Sequence, residues 1–170
     1  MKENKYDDPR FFDAYSHFPR SVEGLSAAGE WHALQKLLPD FRAKRVLPDF
    51  AGKDVLDLGC GFGWHCKYAE EHGATYVLGT DLSEKMLDGA RARNGGDHIE
   101  YRRLAMEDVD FPENSFDVVL SSLALHYVED VRAMFGAVHR CLSPGGAFVF
   151  SCEHPVFTAY GNQDWYRDGG

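Results

Sequence analysis

The sequence predicts an α/β protein built on a doubly wound, mostly parallel sheet. Two observations carry that prediction. From Asp54 to Cys152, short apolar runs alternate with amphipathic helical stretches. Strand–helix alternation of this kind gives right-handed crossovers and a parallel sheet covered by helices on both faces. The second observation is a glycine-rich turn, Gly59-Cys60-Gly61-Phe62-Gly63, set between the first apolar run and the first helix of that series. Open parallel sheets bind ligands at that position, beyond the carboxyl ends of the strands. With 170 residues, 44% of them hydrophobic and 26% charged, the chain is long enough for one ordinary globular domain.

The elements follow in order. Glu30 to Leu38 carries Trp31, Leu34, Leu37 and Leu38 on one helical face, and Pro39 ends it. Leu38-Pro-Asp-Phe then recurs at Leu47-Pro-Asp-Phe, a nine-residue offset far too short for a solenoid. Only the second copy runs on into the glycine turn, so the first is expected to be a linker. Val55 to Leu58 is a buried strand closed by glycine. Trp64 to His72 suits a helix, stopped by Gly73. Tyr76 to Thr80 is the second strand. Ser83 can cap a helix running to about Arg93, with Asn94-Gly95-Gly96 beyond it. His98 to Leu104 is a third strand whose arginines suggest an edge. Asp117 to Ser121 is the fourth. Asp130 can cap a helix with Val131, Met134, Phe135, Val138 and Leu142 on one side. Ser143 to Gly146 reads as a turn, and Ala147 to Cys152 as the fifth strand.

Charge and composition exclude several classes. Lys and Arg number 18 against 27 Asp and Glu, a formal net charge of −9. Such a surface repels phosphate backbones, so no nucleic-acid partner is expected. The polar start and the lack of a long apolar stretch predict neither a signal peptide nor a membrane span. Cys60, Cys66, Cys141 and Cys152 form no C-x-x-C pair, which reads as reduced thiols in a cytoplasmic protein. Six of the eight histidines, His17, His32, His65, His72, His98 and His139, show no metal-ligand spacing beyond chance, and no metal is expected.

Glycines in the turn allow tight backbone approach to a ligand, and the helix beyond it offers unpaired N–H groups. A dinucleotide site calls for G-x-G-x-x-G, but here Trp64 stands where the third glycine belongs. A P-loop is excluded because no Gly-Lys-Ser/Thr follows. Val55-Leu-Asp-Leu-Gly-Cys-Gly-Phe-Gly63 resembles the first motif of class I S-adenosylmethionine-dependent methyltransferases. Gly79-Thr-Asp-Leu-Ser83, Phe111-Pro-Glu-Asn-Ser-Phe-Asp-Val-Val119 and Leu142-Ser-Pro-Gly-Gly146 resemble later motifs of that family, in its order and spacing. Arg20-Ser21 and Ala28-Gly-Glu-Trp31 resemble a small-molecule methyltransferase subgroup. The resemblance implies a Rossmann-like sheet of class I methyltransferase type, with S-adenosyl-L-methionine as cofactor.

It also implies site residues. Asp81, 18 residues beyond Gly63, matches the family's ribose-binding acid, and a carboxylate there can accept from both hydroxyls. Asp57 matches a residue that contacts the methionine part; the alternative is that it braces the loop from beneath. Gly59, Cys60, Gly61 and Gly63 form the cofactor loop. Leu82 and Met86 pack on the adenine or simply in the core. Ala105 stands where the family often has an acid that accepts from the adenine amino group; the Met106 N–H and Glu107 are the substitutes. Ser122, after the fourth strand, joins the cofactor set, and Ser121-Ser122-Leu123-Ala124 differs from the Asn/Asp-Pro-Pro-Tyr/Phe of base-amine methyltransferases. Arg20 either pairs with the cofactor carboxylate or is a solvated surface residue. Tyr6 and Tyr15 are candidates for a lid. His126 and His154, past the fourth and fifth strands, are candidate general bases, with Glu153 a third; packing roles are the alternative.

These expectations divide the chain into a helical lid and linker (1–53), a cofactor-binding core (54–152) and a short tail (153–170). The expected activity is methyl transfer to a small-molecule acceptor. The rivals are a cofactor-binding protein without turnover and, further off, an NAD-dependent oxidoreductase. The resemblance implies seven strands and only five are readable, so the last two are expected to be missing. The fifth strand would then be an unpaired edge, in a truncated product or in a homo-oligomer that covers it.

Overall fold

A computed structural model of the protein describes residues 4–38 and 50–154. Residues 39–49, which hold most of the first copy of the repeat, and the tail from residue 155 lie outside the described residues. Five parallel strands form one sheet: β1 (Asp54–Leu58), β2 (Tyr76–Asp81), β3 (Ile99–Arg103), β4 (Phe116–Ser122) and β5 (Leu142–Ser151). Their order is β3-β2-β1-β4-β5, so the chain reverses direction across the sheet between β1 and β4. That reversal opens a crevice at the carboxyl ends of the two strands.

Successive strand residues point to opposite faces, and both faces are apolar. Val55, Val77 and Val118 pack under α4 (Trp64–Glu71) and α5 (Glu84–Asn94), with Cys66, Ala69 and Leu87 from the helices. Leu56, Leu78 and Val119 meet Met134, Val138 and Cys141 of α6 (Val131–Cys141) on the other face. Both predicted caps form. The Ser83 hydroxyl accepts from the Met86 N–H at 3.2 Å, and Asp130 accepts from the Ala133 N–H at 2.9 Å.

Two elements differ from expectation. Ser143 to Gly146 does not separate α6 from a later strand. Phe116 pairs with Leu142 and Val118 with Ala147, so the segment bulges out of a ladder that continues on either side. Both ends of the segment gain partners on β4, and Gly145 at φ +80° makes the bend. The helix expected over 30–38 is α3 (Trp31–Leu34) followed by a tighter 3-10 turn over Gln35–Leu37. β3 is an edge, with Glu100, Arg102 and Arg103 exposed. On β5's outer side no strand pairs among the described residues, and Phe135, Phe148 and Phe150 cluster beside it.

Before the sheet, α1 (Pro9–Ser16) and α2 (Pro19–Glu23) cross its carboxyl end. Asp8 caps α1, accepting from the Arg10 and Phe11 N–H groups at 3.0 Å. Asp7 accepts from the Ser83 hydroxyl, and Lys85 Nζ donates to the Asp7 carbonyl at 2.7 Å. Arg93 donates to the Ser21 carbonyl at 2.8 Å and lies 4.3 Å over the Phe62 ring. Charge-assisted bonds of this kind at part-buried positions anchor the segment more firmly than exposed ion pairs would.

Gly63 caps α4 in the left-handed region at φ +75°, and a Cβ there would strike the Tyr101 ring and hydroxyl. Tyr101 cannot easily swing away, since its hydroxyl donates to the Asn94 carbonyl at 2.8 Å. Gly63→Ala should therefore destabilise the fold by roughly 2–4 kcal/mol in urea denaturation. A variant as stable as the parent would contradict this packing account.

Candidate functional site: the cavity over the glycine loop

The glycine loop is tied down from beneath. The Gly59 and Cys60 N–H groups donate to the Thr80 carbonyl at 2.8 and 2.9 Å, and the Gly63 N–H donates to the Cys60 carbonyl at 2.9 Å. Its three glycines all have positive φ. A Cβ on Gly59 would strike Ala124, whereas one on Gly61 meets nothing within 4 Å because it projects into a cavity. Asp81, at the end of β2, reaches back across the loop. Its Oδ2 accepts from the Gly61 N–H and its Oδ1 from the Ser83 N–H, both at 2.9 Å. Burial pushes the Asp81 carboxyl above its ordinary pKa, with the backbone donors acting against that.

The cavity is about 320 Å³. Gly59, Cys60, Gly61 and Asp81 form its floor, and Leu82, Ala105, Met106 and Glu107 one side. Ser122 comes from the end of β4 and His126 from beyond it, while Tyr6, Tyr15 and Arg20 close the cavity from the N-terminal segment. Arg20 is no solvated surface residue. Its Nη1 pairs with Glu30 at 2.6 Å and its Nη2 donates to the Ser122 hydroxyl at 3.3 Å. The Ser122 hydroxyl also contacts Glu30 and Ser151, each at 3.0 Å, which ties α2 to the ends of β4 and β5. The Tyr6 and Tyr127 hydroxyls meet at 3.2 Å, and burial pushes the Tyr6 phenol upward.

Four residues expected at the site are not brought to the cavity wall. Asp57 is 1% exposed and lies beneath the loop, facing α4, where its Oδ2 accepts from the Cys66 thiol at 3.4 Å. Gly63 turns toward Tyr101. Met86 is on the buried face of α5. His154 is exposed, because the extended chain past β5 turns Glu153 to the cavity and its neighbour away. His126 is there, its Nε2 3.9 Å from the Glu153 carboxylate. Burial holds its pKa below the ordinary value, against the pull of Glu153 and with a smaller push from Lys5.

Sequence reasoning missed Ser21, Trp64, His65 and Tyr127, all of which line the cavity. The signal was present for two of them: Trp64 and His65 occupy the first turn of the helix that follows the loop. Among the described residues, no cluster of His, Cys, Asp and Glu could hold a metal ion, and no helix is long and apolar enough to cross a membrane.

A parallel sheet with a glycine loop at its reversal point and an acid at the end of the second strand defines a nucleoside-type binding protein. The methyltransferase domain family matches residues 56–150, and the chain belongs to that family. It is 36% identical over 165 residues to an uncharacterized protein of Haemophilus influenzae, covering 91% of this chain and 60% of that one. It is 42% identical over 102 residues to a ubiquinone biosynthesis O-methyltransferase of Idiomarina loihiensis, covering 58% and 42%. The crystal structure of an S-adenosylmethionine-dependent methyltransferase from Mesorhizobium loti superposes with a TM-score of 0.72 at 53% identity. That match covers 80% of this chain and 59% of the other. The chain thus spans about two-fifths to three-fifths of the length of these relatives.

Asp57 offers a check on the site's electrostatics. Its Oδ1 has no partner, and burial pushes its pKa up to about 7 from an unfolded value near 4. A raised carboxyl favours the folded state below its unfolded pKa and loses that advantage as pH rises through the folded one. Stability should therefore fall between about pH 4 and pH 7, by at most roughly 4 kcal/mol. In Asp57→Asn this dependence should largely vanish, which urea denaturation across that pH range would show. An unchanged slope in the variant would remove Asp57 as its source.

Proposed function

We propose that this chain is the cofactor-binding core of an S-adenosyl-L-methionine-dependent methyltransferase that acts on a small-molecule acceptor. The observation that carries the reading is the Asp81–Gly61 arrangement. Each Asp81 oxygen accepts one backbone N–H and retains capacity for a ligand hydroxyl, directly beside the open space over Gly61. A ribose fits that donor and acceptor set. Met106 and Leu82 offer an apolar wall for a purine, and Glu107 a carboxylate in place of the acid absent at Ala105. Trp64 stands where a dinucleotide site has its third glycine, and its ring packs against Gly24 of the N-terminal segment.

When bound, S-adenosylmethionine supplies an electrophilic methyl on its sulfonium. The chain's own residues bind, orient and exclude water. Tyr6, Tyr15 and Arg20 cover the cavity, which suits an acceptor small enough to be enclosed. The acidic charge and the ubiquinone-pathway relative favour the same class. For a protic acceptor, His126 takes the proton: its ring is neutral at pH 7 and Glu153 stands beside it to stabilise the imidazolium.

Calorimetry with S-adenosylhomocysteine and NAD tests the cofactor. Binding of the first alone is expected, and binding of NAD alone would defeat the reading. Asp81→Ala should weaken S-adenosylhomocysteine binding at least about tenfold, because two ligand hydroxyls lose their acceptor. Gly61→Val should abolish binding while the protein stays folded, its side chain filling the ligand's place. A normal dissociation constant in either variant would remove that residue's role. With an acceptor in hand, the pH profile of kcat should rise through the lowered His126 pKa and then level off. In His126→Gln that acid limb should disappear with KM little changed; its persistence would assign the limb to another group.

A further inference from the structure

The N-terminal segment packs on the glycine loop with one face and leaves its neighbouring face in water. On the packed face, Phe12 meets Phe62 of the loop edge-on at 6.0 Å. On the neighbouring face, Phe11, Tyr15, Phe18 and Val22 recur at spacings of four, three and four residues, the interval that lines side chains up along a helix. The line carries across the break between α1 and α2. Phe11 and Tyr15 stack at 6.2 Å, Tyr15 and Phe18 meet at 5.8 Å, and the Val22 N–H donates to the Phe18 carbonyl at 3.1 Å, one turn on. Phe18 and Val22 are 56% and 59% exposed, and Phe11 37%. Tyr15 also lines the cavity, where it meets Tyr6, another lining residue, at 5.1 Å. The apolar stripe is thus continuous from the cavity wall to open solvent.

Single exposed apolar side chains are ordinary, whereas a contiguous run rimmed by polar residues marks a binding surface. Arg10, Asp13, His17 and Glu23 are exposed beside this one. The run is a single file of side chains, too narrow for a protein partner, which needs about 800 Å² on each side. The net charge of −9 opposes an anionic lipid surface. A hydrocarbon chain fits a track of this width. One end of the track opens on the part of the cavity lined by Tyr6, Tyr127 and His126, where the acceptor's reacting end would sit. We propose that the acceptor carries a hydrocarbon chain, which leaves the cavity past Tyr15 and lies along Phe11, Phe18 and Val22. This names the acceptor class within the methyltransferase reading above and rests on it.

The test titrates para-alkylphenols, from methyl to hexyl, into the chain with and without saturating S-adenosylhomocysteine, by calorimetry. Parent affinity should rise about twofold per added methylene, because one side of the hydrocarbon stays in water, against about fourfold for full burial. Phe18→Ser and Val22→Ser change exposed side chains that do not line the cavity, so both variants should fold and bind S-adenosylhomocysteine as the parent does. They should bind hexylphenol at least about fivefold more weakly and methylphenol within about twofold of the parent. A flat series in the parent, or the parent's slope kept in both variants, overturns the track. So does a dimer in sedimentation velocity that both variants dissociate, which gives the stripe to a second copy, or binding to phosphatidylcholine vesicles that both variants lose. A slope without S-adenosylhomocysteine binding defeats the cofactor reading while the track stands; S-adenosylhomocysteine binding with a flat series does the reverse.

Discussion

The Asp81 carboxylate holds the site together. It ends β2, accepts from the loop at Gly61 and accepts from the first turn before α5 at Ser83. Three chain segments meet on one side chain. Without it, the loop around the left-handed Gly61 would rest on the Gly59 and Cys60 bonds to Thr80 and the Gly63 bond to Cys60. The N-terminal segment depends on the same corner: Asp7 docks on the Ser83 hydroxyl, which also caps α5. The lid, the loop and the helix therefore register against one another through two polar residues, Asp81 and Ser83, not through apolar packing alone. Directional bonds suit that task because apolar contacts tolerate sliding.

A second carboxylate makes the corner electrostatically tense. Asp57 lies beneath the loop with one oxygen unpartnered, and Asp81 adds to the burial that raises its pKa. Cys60 and Cys66 stand beside it, and burial pushes the Cys60 thiol up to about 11, so both act as neutral groups. The Arg20 charge acts against the raised pKa of Asp57, and Glu30 already pairs with that guanidinium. Such an arrangement favours a ligand that brings positive charge, and an ammonium and a sulfonium both do.

The sheet was legible in the sequence because its strands are buried on both faces. Val55 to Leu58 and Val118 to Leu120 have little choice of structure once glycines and caps set their ends. The loop and Asp81 were legible because their spacing is diagnostic only in combination. The bulge at Ser143 to Gly146 was not, since Pro-Gly-Gly reads as a turn whether or not a neighbouring strand pairs on either side of it. Face assignments also failed locally. Asp57 sits two residues before the lining Gly59 and Met86 about one helical turn past the lining Leu82, yet both point away from the cavity, a matter of strand pleat and helix phase that motif matching ignores. Neither the Arg20-Ser21 resemblance nor the place of Trp64 and His65 after the loop brings these residues together; they meet because α2 folds back over the start of α4.

The cavity separates two kinds of constraint. Its floor comes from strand ends and the loop, whose geometry follows from the sheet and tolerates little change. Its far wall comes from Tyr6, Tyr15, His126, Tyr127 and Glu153, all in segments that lie outside the strands. Tyr6 stacks edge-on against Tyr15 at 5.1 Å and Tyr127 at 6.2 Å, so the two segments share one aromatic surface. A substitution there alters the shape offered to an acceptor without touching the bonds that hold the loop. On the proposed reading, ligand binding by the floor and choice of acceptor by the wall can therefore vary independently.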